Sequence, residues 1–241
     1  MHIHIVHAHP EKSSYNAALT EAAFEHLANA GHSVSKSDLY LEQFDPVERG
    51  ANYKNRADRD VFAALNEQRH ASGNDTFPID VQREIESLRS ADFLVLQFPL
   101  WWHGPPAILK GWMDRVFVNG GLYSSRMRYD TGYFSGKRAL VSVTTGAPQK
   151  AFGPGCRGGD FEVMLWPVHY SLHYVGYEVL PPFVSYGVQG HGYSYEREET
   201  LRERLKQNLS NWRGYLSKID EIQPLKFPGW SDWDEDGRAL T

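Results

Sequence analysis

Cysteine is almost missing from this chain: Cys156 stands alone among 241 residues, which excludes an internal disulfide and a paired-thiol redox centre. Long apolar runs are missing too. The longest, 93–102, is broken by Gln97 and Pro99. It falls well short of the roughly 20 residues a membrane-spanning helix needs and reads as a buried strand running into a loop. Charge of one sign is also lacking. Against 25 lysines and arginines stand 30 acidic residues, the net charge is −5, and the signs are interspersed. No basic stripe offers itself to nucleic acid or to an anionic membrane. Residues 1–6 have neither the basic start nor the apolar stretch of a secretory leader, so with the single cysteine the expected compartment is the cytoplasm. The P-loop lysine, GxSxG elbow, HExxH helix and CxxC pair are absent as well, which argues against common NTPases, hydrolases, zinc proteases and dithiol enzymes. His2, His4, His7 and His9 have no clustered third ligand, and no metal is expected.

What is present is an alternation of short β-like runs with longer helical patterns, the order that yields a doubly wound parallel sheet with helices on both faces. Strands are expected over 3–6, 33–39, 93–98, 139–145 and 177–185, five in all. The third is central because it is apolar apart from Gln97, and the last is interrupted by Pro181 and Pro182. Helices are expected over 16–30 with Gly31 as its C-terminal cap, and over 79–90, 106–117, 160–175 and 196–218. Residues 42–77 are a polar excursion, too long for an ordinary connection in a compact domain. Residues 1–222 are read as one domain carrying this excursion, and 223–241 as a C-terminal tail with Trp230, Trp233 and an acidic run.

In such a sheet ligands collect at the carboxyl ends of the strands, which singles out three loops. HAHPEKSSYN at 7–16 places Lys12, Ser13 and Ser14 at a helix start, where free N–H groups favour a phosphate; equally, Ser13 or Ser14 caps the helix. QFPLWWHGPPAILKGW at 97–112 puts two tryptophans and a histidine beside the crevice, where they either flank a flat ring or belong to the core. TTGA at 144–147 is small enough for backbone N–H groups to approach a ligand. GPGCRG at 153–158 matches a dinucleotide fingerprint in form, but residues 148–152 separate it from the strand. The residues alone therefore point to a planar, phosphorylated ligand.

Taken together, AHPEKSSYN, QFPLWWHGPPAILKGW, SVTTGA and GDFEVMLWPVHY resemble the NAD(P)H:quinone oxidoreductase (DT-diaphorase-like) family, in order from residue 3 to about 186. The resemblance implies a flavodoxin-like fold, a homodimer and a flavin at the strand ends near the partner subunit. It implies a two-electron, ping-pong hydride transfer from NAD(P)H to a quinone-like small-molecule acceptor. It places His9, Ser14, Tyr15 and Asn16 around the flavin's phosphates and adjoining groups. Pro99, Leu100, Trp101, Trp102 and His103 are placed under the ring, and Thr144, Thr145, Gly146 and Ala147 at its polar edge. Tyr123 and Tyr174, with Ser124 and Ser125, are placed at the acceptor pocket. Tyr123, Trp102 and His103 are the residues expected nearest the chemistry. The long excursion resembles that of the FAD-binding members, so FAD is expected rather than FMN.

The chain departs from the family where a tyrosine and a histidine usually follow the TTG turn, for Phe152 and Gly158 stand there. Neither side chain donates a proton. Phe152 is still expected beside the cofactor, with His103 or Arg157 as candidates to compensate. Two other activities suit the same resemblance: a flavin-binding regulatory subunit of a potassium-efflux system, and an azo or nitro reductase.

Overall fold

The computed structural model describes residues 1–190 and 196–240. Residues 191–195, inside the expected domain, and 241, at the end of the tail, lie outside the described residues. Strand β1 (His2–His7) leads into helix α1 (Tyr15–Asn29), capped at its start by the Ser14 hydroxyl and followed by Gly31 in the left-handed region at φ 88. Then come β2 (Ser33–Asp38), α2 (Ala64–Asn74), α3 (Ile79–Ser90), β3 (Phe93–Pro99), α4 (Ala107–Val116) and β4 (Arg138–Thr144). The chain continues through α5 (Phe161–Tyr174), β5 (Glu178–Val179), β6 (Phe183–Ser185) and α6 (Glu198–Leu216).

All pairings are parallel, in the order β2-β1-β3-β4-β5, with β6 also on β4. That is the flavodoxin-like order, and its switch point lies between β1 and β3, where a crevice opens at the carboxyl ends. The expected fifth strand is two short pieces because Pro181 and Pro182 supply no N–H and fall between them.

Every residue of β3 is buried, so alternate side chains feed both faces of the sheet. Phe93 and Val95 join Ile3, Ile5, Leu140 and the inner sides of α1 and α6. Leu94, Leu96 and Phe98 pack with Val141, Val143 and residues of α3, α4 and α5. On this second face the buried Glu84 carboxylate accepts from Trp112 Nε1 and Ser37 Oγ, both at 2.9 Å.

The excursion contains α2, a helix that periodicity does not reveal. Its inward residues are Glu67, Gln68 and Ala71, so no apolar stripe forms. Glu67 accepts from the Ala57 N–H at 2.8 Å and from Arg56 Nε at 3.0 Å. Gln68 accepts from the Asn119 N–H at 3.0 Å and donates to the Asp114 carbonyl at 3.1 Å. Buried Arg115 of α4 donates to the Asp45 carbonyl at 2.5 Å and to Asp80 at 2.7 Å. A Cβ on Gly111 would lie 2.1 Å from the Pro46 carbonyl oxygen, so only glycine lets the excursion cross α4 there.

The tail returns to its own chain. The Leu225 N–H reaches the Val179 carbonyl at 2.8 Å, and the Trp230 N–H reaches Asp130 at 2.8 Å. Trp230 and Trp233 set their rings against Tyr129, at 5.2 and 4.6 Å.

Candidate functional site

The crevice between β1 and β3 is tied together by amides. Gln97, at the end of β3, donates to Asn16 Oδ1 at 2.8 Å, and Asn16 Nδ2 donates to Thr144 Oγ1 at 2.9 Å. All three are buried. The Ala8 N–H reaches the Gln97 carbonyl at 3.0 Å, and the Leu100 N–H reaches that of Thr144 at 2.8 Å. Asn16 therefore fixes the three loops relative to one another.

The loop after β1 folds on itself: Glu11 accepts from the Ser13 N–H and hydroxyl, both at 2.8 Å, which holds its carboxyl below the usual range. Ser14 caps α1, its hydroxyl accepting from the Ala17 N–H at 3.1 Å, so the capping reading is realised. The N–H groups of Tyr15 and Asn16 make no hydrogen bond among the described residues and remain available at the helix start. The Tyr15 side chain turns to α6, donating to the Leu205 carbonyl and contacting Asn208 Oδ1, both at 2.8 Å. His9 lies against Trp101, with ring centroids 6.0 Å apart, and partial burial lowers its pKa.

After β3 the chain makes a two-residue turn closed by reciprocal Trp101 and Gly104 backbone bonds of 3.0 and 3.1 Å. Its central residues are Trp102 at φ 49 and His103 at φ 62. Large side chains seldom occupy that region, and here the strained Trp102 is 96% exposed. The N–H groups of Trp102 and His103 have no partner among the described residues.

After β4, Thr145 pairs with Ser185, 3.0 Å, and its carbonyl accepts from Val188 at 2.9 Å. The Gly146 N–H is free among the described residues, and a Cβ there would meet nothing closer than 3.7 Å. Gly146 opens on a cavity of about 810 Å³ shared with Lys150, Arg157, Tyr186, Arg204 and Asn208. Arg204 is paired with Glu196 and donates to the Tyr186 and Gly187 carbonyls, whereas Lys150 and Arg157 form no ion pair among the described residues. Reading the sequence missed Gln97, Lys150, Arg204 and Asn208 as contributors. Gln97 was signalled as the one amide in an apolar strand, and Arg204 and Asn208 by their four-residue spacing on α6.

Tyr123 and Tyr174, joined edge to face at 5.6 Å, line a different cleft, of about 550 Å³, with Leu65, Met113 and Phe117. Ser124 and Ser125 follow Tyr123, the Ser124 hydroxyl accepting from the Met127 N–H at 3.1 Å. Among the described residues, this cleft and the Gly146 cavity have no lining residue in common. Phe152 turns toward Phe161 and Tyr186, at 5.1 and 5.7 Å. Arg157 faces the Gly146 cavity, whereas His103 stands on the exposed turn.

Residues 1–210 match the family described as Flavodoxin-like fold. The chain is 37% identical over 232 residues to NAD(P)H dehydrogenase [quinone] 1 of Cavia porcellus, covering 95% of this chain and 81% of that protein. It is 35% identical over 229 residues to the ribosyldihydronicotinamide dehydrogenase [quinone] of Mus musculus, covering 94% and 95%. The solved structure of a putative quinone reductase from Klebsiella pneumoniae superimposes with a TM-score of 0.88 at 30% identity, covering 100% of this chain and 94% of that one. The protein thus belongs to the NAD(P)H:quinone oxidoreductase family and has its flavodoxin-like fold.

Proposed function

We propose that this protein binds a flavin at the carboxyl ends of β1, β3 and β4 and catalyses ping-pong reduction of quinone-like acceptors by NAD(P)H. One observation carries the reading. Three backbone donors without a partner among the described residues, the N–H groups of Trp102, His103 and Gly146, stand on adjacent loops beside an outward-facing indole held in strained backbone. A flat ring with a polar edge fits that surface: the indoles of Trp101 and Trp102 offer its face, and the donors offer hydrogen bonds to its heteroatoms. When bound, flavin supplies the hydride chemistry that the side chains lack. Pro99, Leu100 and Thr144 set the spacing of the two loops, and Thr145, Gly146 and Ala147 bring the backbone close.

The start of α1, with Ser14 and the free N–H groups of Tyr15 and Asn16, suits a phosphate, and His9 stands beside it. The cavity beyond Gly146 offers Lys150 and Arg157 to further anionic groups, which favours FAD over FMN. Tyr123 and Tyr174, with Ser124 and Ser125, supply the acceptor-facing wall. Because the cleft of Tyr123 and Tyr174 and the Gly146 cavity have no lining residue in common among the described residues, we assign these residues to a partner's site, and the working unit is a homodimer. The flavin domain is 1–222, with 223–241 as a tail whose residues 223–240 pack onto it.

The test is an absorbance spectrum of the purified protein, identification of the flavin released, and anaerobic titration with NADH and NADPH. Bound FAD that is bleached by a nicotinamide and restored by a quinone is the expected result. Failure to bind flavin after reconstitution overturns the reading, and a monomer by light scattering removes the role given to Tyr123.

A further inference from the structure

Arg128 lies among aromatic rings, its guanidinium 4.9 Å from the centroid of Trp230, 5.5 Å from Tyr174 and 5.7 Å from Tyr129. Nη1 donates to the Tyr174 oxygen at 2.8 Å and Nη2 to the Ser125 carbonyl at 3.2 Å. Nε is buried with no partner, and no carboxylate pairs with Arg128 among the described residues. The carboxylate nearest in sequence, Asp130, accepts instead from the Trp230 N–H. The rings cover part of this half-buried cation without balancing its charge, an arrangement that gains when an anion arrives.

The contact with Tyr174 adds direction. A phenol oxygen that accepts from arginine has its own proton left to donate, and Tyr174 shares its cleft with Tyr123. Two aromatic faces, a phenolic donor and an unbalanced guanidinium therefore stand together.

We infer that Arg128, with Tyr174, is an anion-binding element of the acceptor site, selecting planar ring compounds that carry a negatively charged oxygen. The inference rests on the proposed function for the meaning of "acceptor", but the binding site itself does not depend on turnover. A plain structural role is the competing account, in which Arg128 only clips Trp230 and the tail to the domain.

Two measurements on the full-length flavin-loaded protein separate these outcomes. In the first, kcat/KM is compared for 1,4-naphthoquinone and its 2-sulfonate. The native protein favours the sulfonate by about tenfold. Arg128→Met brings the ratio to about one, and Arg128→Lys keeps part of the preference because the charge remains. In the second, binding of naphthalene-2-sulfonate, which is not reduced, is followed calorimetrically. Affinity falls with added salt, is lost in Arg128→Met and is weakened in Tyr174→Phe. An unchanged ratio in Arg128→Met, or sulfonate binding that survives while only the melting temperature drops, overturns the inference in favour of a tail clip. Should the native protein reduce neither quinone, the proposed function fails, and the calorimetric arm still decides Arg128. If Arg128→Met does not fold, Tyr174→Phe and Arg128→Lys decide it: unaltered sulfonate binding in Tyr174→Phe overturns the inference.

Discussion

Gly158 is pressed against Phe152: a Cβ at 158 would lie 3.0 Å from two atoms of that ring and 2.7 Å from the Ala151 carbonyl oxygen. The two departures from the family pattern are therefore one feature. With Phe152 packed on Phe161 and Tyr186, the loop has closed over the place where a larger side chain at 158 would stand.

Restoring histidine by Gly158→His accordingly forces the loop to move. We expect a loss of about 1–3 kcal/mol in urea unfolding, as for overpacking elsewhere. Combining it with Phe152→Ala removes the ring contact but not the carbonyl contact, so the double variant recovers only part of the loss. Full recovery would mean that the backbone oxygen is not an obstacle.

Asn16→Ala leaves the Gln97 amide and the Thr144 hydroxyl without their buried partner, and Gln97 Oε1 is unpartnered already. A cost of about 1–3 kcal/mol is expected. Because Asn16 ties three loops together, flavin retention through gel filtration should also fall. A variant destabilised to this extent that retains flavin like the native protein would separate the amide bridge from the binding site.

Trp102→Gly relieves a left-handed tryptophan whose side chain is almost fully exposed among the described residues. Thermal melts of the flavin-free protein should show stability unchanged or raised by up to about 1–2 kcal/mol. Flavin titration should show weaker binding. A lower melting temperature of the flavin-free variant would show that the indole serves the fold itself.

Two of the buried histidines contribute strongly to the response to acid. Burial lowers the pKa values of His4 and His169 from 6.5 to about 4. The unfolded chain thus binds more protons than the folded one between those limits, and stability falls as pH drops from 6.5 toward 4. Each contributes a slope of up to about 1.4 kcal/mol per pH unit. Urea midpoints across that interval should fall steeply for the native protein and less steeply for His169→Gln, since His169 Nε2 has no hydrogen-bond partner to lose among the described residues. An identical slope in that variant would show that His169 does not contribute.

The sequence by itself determined the layered architecture. Apolar β3, the flanking helical periods and the Gly31 stop are local signals, and each sits where the pattern puts it because burial on two faces leaves little choice of residue. The three candidate ligand loops were named from strand ends alone, and the structure sets them side by side at the β1–β3 crevice. Helix α2 was hidden because its inward face is Glu67 and Gln68, whose partners Arg56 and Asn119 lie outside the helix and come near only in the folded chain. Tertiary structure alone decided that Asn16 bridges Gln97 and Thr144, that Arg204 and Asn208 of the last helix border Gly146, and that the tail packs Trp230 against Arg128. Those contacts join residues dozens of positions apart. Their energies depend on distance and desolvation in the assembled fold, and neither quantity is written in local sequence.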